Sequence, residues 1–144
     1  MHTFQVETVW QHDRESRVRA RDNPDLTVAA PPEFGGPQRT WSPEELLIAS
    51  VGSCLLNTFL YFADRFELRL GSYASTSTGT MEKTSQGLRF TGIDVSIAVT
   101  MLDDDSARRA SSLRLKEKME KYCPVSASLN CPVRLVLEMA SRTG

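Results

Sequence analysis

The chain has 144 residues, 40% of them hydrophobic and 24% charged, and a net charge of −1 from 17 basic and 18 acidic side chains. That length suits one domain with a core that needs no staples. The charge balance offers no basic face for nucleic acid, and three widely spaced cysteines do not make a structural disulfide framework. The start, MHTFQVETVW, lacks the basic and apolar regions of a signal peptide, so a soluble, cytoplasmic protein is expected.

Three short strands are predicted first. Phe4–Trp10 alternates Phe4, Val6, Thr8 and Trp10 on one face, Arg17–Arg21 is weaker, and Leu26–Ala30 ends at Pro31-Pro32. Arg14, Arg17, Arg19 and Arg21 recur with Asp13, Glu15 and Asp22 among them, the pattern of a solvated strand rather than a phosphate-binding stripe. Pro31–Ser42 is a loop rich in Pro and Gly.

Ser42-Pro43-Glu44-Glu45 is a helix start, with Ser42 as N-cap, Pro43 at the first helical position and Glu45 completing a capping box. The helix should run from Pro43 to about Phe66. Leu46, Leu47, Ile48, Val51, Leu55, Leu56, Phe59, Leu60, Phe62 and Ala63 make it apolar over most of its circumference, so burial on nearly all sides is expected. A sheet should cover one side and something else the other. Ser50, Ser53, Asn57 and Thr58 interrupt the apolar run and argue against a membrane span.

Two long strands follow, Ser72–Thr84 with small and polar residues and Arg89–Met101 with Phe90, Ile93, Val95, Ile97 and Val99. Ser85-Gln86-Gly87 is the hairpin turn between them. Asp103–Ser106 caps an amphipathic surface helix predicted over Ala107–Tyr122, which Cys123-Pro124 ends. Val125–Leu129 reads as a short helix and Pro132–Met139 as a closing strand. The order β-β-β-α-β-β-α-β, in a single domain over residues 1–144, is an α+β fold.

The cysteines carry what chemistry the residues suggest. Cys54, mid-helix, is either a core thiol packed as a small hydrophobe or a nucleophile. Cys123 precedes Pro124 at a predicted helix start, where backbone N–H groups would favour its thiolate. Otherwise it merely ends a helix. Cys131, before Pro132, reads as structural. The cysteine spacings fit no zinc motif, and the only histidines, His2 and His12, are N-terminal, so no metal is expected. No nucleotide-binding or serine-hydrolase motif is present.

PPEFGG at 31–36, WSPEELLIASVGSC at 41–54 and EKYCPVS at 120–126 together resemble the OsmC/Ohr family, the osmotically inducible and organic hydroperoxide resistance proteins. The resemblance runs from Trp10 to Met139. It implies an OsmC-like fold of antiparallel sheets around a long buried central helix, in an intertwined homodimer. It also implies a stress-related thiol peroxidase that reduces organic hydroperoxides without a cofactor. Cys54 matches the family's peroxide-attacking cysteine, Cys123 its resolving partner and Glu44 its glutamate. For the activating arginine, Arg14 is favoured because Arg14-Glu15 matches the Ohr-type pattern, although Ser16 stands where Gly is usual. Arg39, in the loop before the helix, is the alternative. An external dithiol, in the family typically a lipoyl-protein, would reopen the disulfide.

Glu44 and Cys54 lie ten residues apart on one helix, about 15 Å at ~1.5 Å per residue. Both cannot touch one arginine within a subunit, so Glu44 is expected to serve Cys54 of a second chain. The apolar residues Leu55, Phe59, Phe34 and Trp41 are expected near the peroxide. The competing reading is an OsmC-fold stress or binding protein whose cysteines are inert or serve another thiol reaction.

Overall fold

The computed structural model describes residues 1–142 and divides into two compact units, Met1–Leu47 and the chain from Ile48 onward.

In the first unit, β1 (Glu7–His12), β2 (Glu15–Arg19) and β3 (Leu26–Ala29) form an antiparallel sheet in that order. Asp13, in the left-handed region at φ 43°, makes the β1–β2 turn, and its carbonyl accepts the Trp10 indole N–H at 3.1 Å. β1 starts at Glu7 rather than Phe4 because its partner strand runs out, Glu7 facing Arg19 at the end of β2. Arg17 and Arg19 converge on Asp25 at 3.5 and 2.9 Å. The arginine pattern is therefore a charged strand with its own acid. Phe4, Val6 and Trp10 are exposed.

The following loop holds a 3-10 turn over Pro32–Phe34, with Gly35 left-handed behind it at φ 84°. Gly36 has to be glycine: a Cβ there would sit 1.5 Å from the Ala30 carbonyl oxygen. The loop returns to the sheet where the Ala29 N–H donates to the Trp41 carbonyl at 2.9 Å.

Helix α1 (Pro43–Arg65) starts at the capping box the sequence spells out. The Ser42 Oγ accepts the Glu45 N–H at 3.1 Å, and the Glu45 carboxylate accepts the Ser42 N–H at 2.9 Å.

In the second unit, β4 (Leu70–Thr84), β5 (Gly87–Met101) and β6 (Val133–Ser141) form one sheet. β4 and β5 are an antiparallel hairpin, whereas β6 joins β5 in parallel. A parallel partner requires a crossover. It is supplied by α2 (Asp104–Ser112), α3 (Leu115–Tyr122) and α4 (Pro124–Ala127). The register puts Ile93, Val95, Ile97, Val99 and Met101 of β5 on one face, level with Leu135, Leu137 and Met139 of β6. The opposite face is polar and exposed, with Arg134 forked onto Asp94 at 2.6 and 3.1 Å.

Two helix readings change. The single helix predicted over Ala107–Tyr122 is α2 and α3, broken where Arg114 turns left-handed at φ 52°. In a straight helix Ala110 and Leu115 would point about 140° apart; the break lets Ala110, Leu115 and Met119 all reach the core. Second, α1 is not buried all round. Val51, Leu55, Thr58, Phe59, Phe62 and Ala63 are buried as one stripe. Leu46, Leu47, Leu56 and Leu60 are only half-buried, and Tyr61 is exposed, because one sheet can cover only one side of a helix. By length and composition α1 could cross a bilayer, with a mean hydropathy of 1.8 over its apolar window. Here its apolar stripe packs into a protein core.

The small residues of β4 explain the closeness of α1. Gly79 leaves no room for a Cβ, which would meet Ile48 Cδ1 at 2.4 Å and the Phe90 ring at 2.8 Å, and Gly52 lies against Ser77. A Gly79→Val substitution should therefore destabilise the fold by about 1–3 kcal/mol, read as a lower denaturation midpoint. Leu55→Ala, emptying a fully buried position, should cost about 2–5 kcal/mol.

Candidate active site

Cys54 sits at the edge of the buried stripe of α1. Its neighbour Leu55 is fully buried, but Cys54 itself is only partly so. Thr58, Tyr61 and Arg65 follow it at helical spacing on the same face. With Asn57, Phe62 and Phe66 they form one wall of a cavity of about 770 Å³; Lys118, Tyr122 and Pro124 form the other. That volume suits a small organic ligand. The walls are mainly aromatic: Phe62 is flanked by Tyr61, Phe66 and Tyr122 at centroid distances of 5.2 to 6.3 Å. Two cations lie at its edge, Arg65 and Lys118, the latter over the Phe66 ring at 5.8 Å.

Cys123 lies behind Cys54. It ends α3 and is the N-cap of α4, with Pro124 at the first helical position. Its side chain is 0% exposed, and its thiol is in hydrogen-bonding contact with that of Cys54. Both cysteines are free thiols. The two sulfurs are therefore in different positions towards solvent: one borders the cavity, and the other is fully buried and in contact with the first.

The helix start acts differently from the sequence expectation. Cys123 makes no side-chain capping bond. The free N–H at α4's second position, that of Val125, is directed at the Cys54 sulfur instead. Burial pushes the Cys54 thiol above its usual pKa, the Val125 N–H pulls it back, and the Cys123 thiol pushes it up again. Thr58 also borders the sulfur, but its one proton goes to the Cys54 carbonyl at 2.9 Å. The Val125 N–H is thus the fixed donor to a thiolate. None of these contributions comes from a cation.

Residues 35–138 match the sequence profile of the OsmC-like proteins. The chain belongs to the OsmC-like family. Solved structures share its fold. An OsmC-like protein of unknown function from Vibrio cholerae superposes with a TM-score of 0.88 at 16% identity, over 96% of this chain and all of that one. An organic hydroperoxide resistance protein from Legionella pneumophila gives a TM-score of 0.73 at 23% identity, over 98% of each chain. One from Bacillus subtilis gives 0.64 at 21%, over 95% of this chain and 98% of that one. No curated protein sequence matches the chain.

In this OsmC-like chain the site residues expected from sequence fall into two groups. Cys54 and Cys123 are brought together. Arg14, Arg39 and Glu44 lie in the N-terminal unit, where no ion pair joins either arginine to Glu44 among the described residues. Arg14 lies along Gly35, beside a separate cavity lined by Asp13, Glu15 and Gly36. Arg39 is exposed, in the left-handed region at φ 61°. One carboxylate oxygen of Glu44 is buried without a hydrogen-bond partner. α1 runs unbroken from Glu44 to Cys54, so the expected ~15 Å separation holds.

The apolar neighbours differ too. Leu55 and Phe59 are in the core, and Phe34 and Trp41 are exposed in the N-terminal unit. The cavity is built from Tyr61, Phe62, Phe66 and Tyr122 instead. A helical wheel centred on Cys54 points to Tyr61 and Arg65, a signal present in the sequence. Cys131 is half-buried against the core. Among the described residues, no group of three or more His, Cys, Asp or Glu side chains is placed to hold a metal ion.

A mild thiol oxidant should link Cys54 to Cys123 within one chain, seen by peptide mass after alkylation. Cys131→Ser should leave that link intact, and Cys54→Ser should abolish it.

Proposed function

We propose that the chain is a thiol peroxidase that reduces organic, lipid-type hydroperoxides at Cys54, with Cys123 as resolving thiol and an external dithiol as reductant. The observation that carries this reading is the contact between a cavity-facing thiol and a fully buried one behind it. The chemistry fits that arrangement. The Cys54 thiolate attacks the distal peroxide oxygen, the O–O bond breaks, the alcohol leaves with a proton, and the sulfur becomes a sulfenic acid. Cys123 displaces water from it and forms a disulfide before further oxidation. A dithiol such as a lipoyl-protein reduces that bond by exchange. The aromatic walls of the cavity favour an alkyl peroxide over hydrogen peroxide.

The nucleophile still needs a cation. Three observations favour a homodimer as its source. Cys54 has only a backbone N–H to favour its charge. Glu44 has a buried oxygen without a partner. Much apolar surface is left uncovered on α1 and around β1. We place Arg14, held by Glu44, at Cys54 of the second chain, in a cytoplasmic dimer. Neither arginine is paired with Glu44 within one chain, which keeps the alternative open: an OsmC-fold stress or binding protein with a different thiol role. An unactivated Cys54 that gives no disulfide with peroxide would support that alternative.

Three outcomes test this. The mass in solution should be about twice the chain's 16.1 kDa; a stable monomer contradicts the dimer. Cumene hydroperoxide should turn over at least about tenfold faster than hydrogen peroxide, a difference of ~1.4 kcal/mol in the barrier, and Cys54→Ser should abolish both activities. Arg14→Ala should move the pH midpoint of Cys54 oxidation upward by about 1–3 units, since a guanidinium beside a thiolate lowers its pKa. The loss should therefore be greatest at neutral pH and recovered in alkali. An unchanged profile would move the role to Arg39.

A further inference from the structure

The cavity at Cys54 is charged at one end. Among the described residues its lining contains two cations, Arg65 and Lys118, and no Asp or Glu. Neither cation forms an ion pair among the described residues, whereas Arg108, Arg109, Arg114 and Lys116 on the neighbouring helices each have an acid. Lys118 is half-buried. Its ammonium donates to the Leu113 carbonyl and lies over the Phe66 ring at 5.8 Å. Two cations without acids, on opposite walls of one cavity, leave their charge to a ligand.

Arg65 comes eleven residues after Cys54 on α1. Eleven steps of about 100° return it to within about 20° of the same line, about 16 Å farther along the axis at ~1.5 Å per residue. It is too far along to be the activating cation of the thiol. Lys118 faces it from α3, its ammonium over the residue that follows Arg65. Tyr61 and Phe62 lie between Cys54 and Arg65 in the chain, and Tyr122 follows Lys118 by one turn. The Phe62 and Tyr122 rings meet at a centroid distance of 5.7 Å. The cavity thus has a sulfur at one end, aromatic walls in the middle and positive charge at the other end.

We infer that Arg65 and Lys118 are specificity-determining residues: they hold the carboxylate of a single-chain hydroperoxy acid whose apolar chain lies along Phe62 and Tyr122 and whose peroxide meets Cys54. The inference rests on the thiol-peroxidase reading and deepens it by naming the substrate's second functional group and its place. A guanidinium fork matches a carboxylate, and the ammonium adds a second charge. An uncharged alkyl hydroperoxide has only the aromatic walls to bind. An extended carbon chain, with bonds of about 1.5 Å at about 111°, advances ~1.25 Å per bond, so the full rise is spanned by about 13 bonds. Side chains lean toward the helix N-terminus, so the guanidinium comes nearer and shortens the span to roughly 8 bonds. The cavity volume of about 770 Å³ suits one such ligand.

The test compares a linoleic acid hydroperoxide with its methyl ester, both below the concentration at which they aggregate. Chain and peroxide are the same, and one charge differs. In the unmodified protein kcat/KM should be at least about tenfold higher for the acid, the size of one hydrogen bond to a charged group. With Arg65→Gln and Lys118→Gln together, the acid-to-ester ratio should fall to about one. Arg65→Lys with Lys118→Arg keeps both charges and should keep most of the preference. The ratio is read within one protein, so a general loss of activity or of folded protein cancels. An acid with its peroxide on the carbon beside the carboxylate should show no advantage over its ester, because its two ends cannot reach both ends of the cavity. A ratio near one in the unmodified protein, or a preference that survives the two glutamines, overturns the inference and leaves the peroxidase reading intact. If neither hydroperoxide is reduced, the peroxidase reading fails, and protection of Cys54 from iodoacetamide by linoleic acid decides. Protection that the methyl ester does not give, and that the two glutamines abolish, supports the carboxylate site; equal protection or none overturns it.

Discussion

The site depends on how α1 lies on its sheet. Val51, Leu55, Phe59 and Phe62 drop into the apolar face of β5 and β6, and the small residues of β4, Gly79 above all, let the helix come close. That contact fixes the rotation of α1 about its axis. Cys54, one residue before Leu55, is thereby turned to the margin of the stripe, about 100° from it. There it is half-covered, with Cys123 on its inner side and an aromatic cavity on its outer side. The corner between α3 and α4 supplies the other half. Pro124 stops α3 and starts α4, which buries Cys123 and aims the Val125 N–H at Cys54. On the proposed reading each sulfur takes its role from this placement: access would make Cys54 the attacker, and burial would make Cys123 the resolver.

Most of this framework was legible because its signals are local. Ser42 and Glu45 write a capping box, β5 alternates cleanly, and Pro124 marks a helix start; each depends on residues within a few positions of one another. What was not legible depends on partners far along the chain. The break at Arg114 is imposed by the need to seat both Ala110 and Leu115 on one sheet. The parallel placement of β6 is set by the crossover. β4 reads as a polar strand because its inward positions are small to admit α1. One chain covers only part of the circumference of α1, because hydrophobicity tells how much surface wants cover, not which chain provides it.

On the proposed reading, charge is the element that one chain leaves incomplete. Desolvation alone makes a partly buried thiol a poorer nucleophile, and one backbone N–H does not reverse that. At the same time Glu44 buries an unsatisfied carboxylate oxygen, which is costly unless a cation meets it. A dimer that brings a guanidinium between the two would satisfy both groups and cover the open side of α1.

The most direct test is a thiol count. Reduced protein, with three cysteines per chain, is given one equivalent of an alkyl hydroperoxide, and the remaining free thiols and the linked peptides are determined. The account predicts one free thiol per chain, that of Cys131, with the alcohol formed and the other two sulfurs joined to each other. Three free thiols with the peroxide unconsumed, or a bond that involves Cys131, would contradict it.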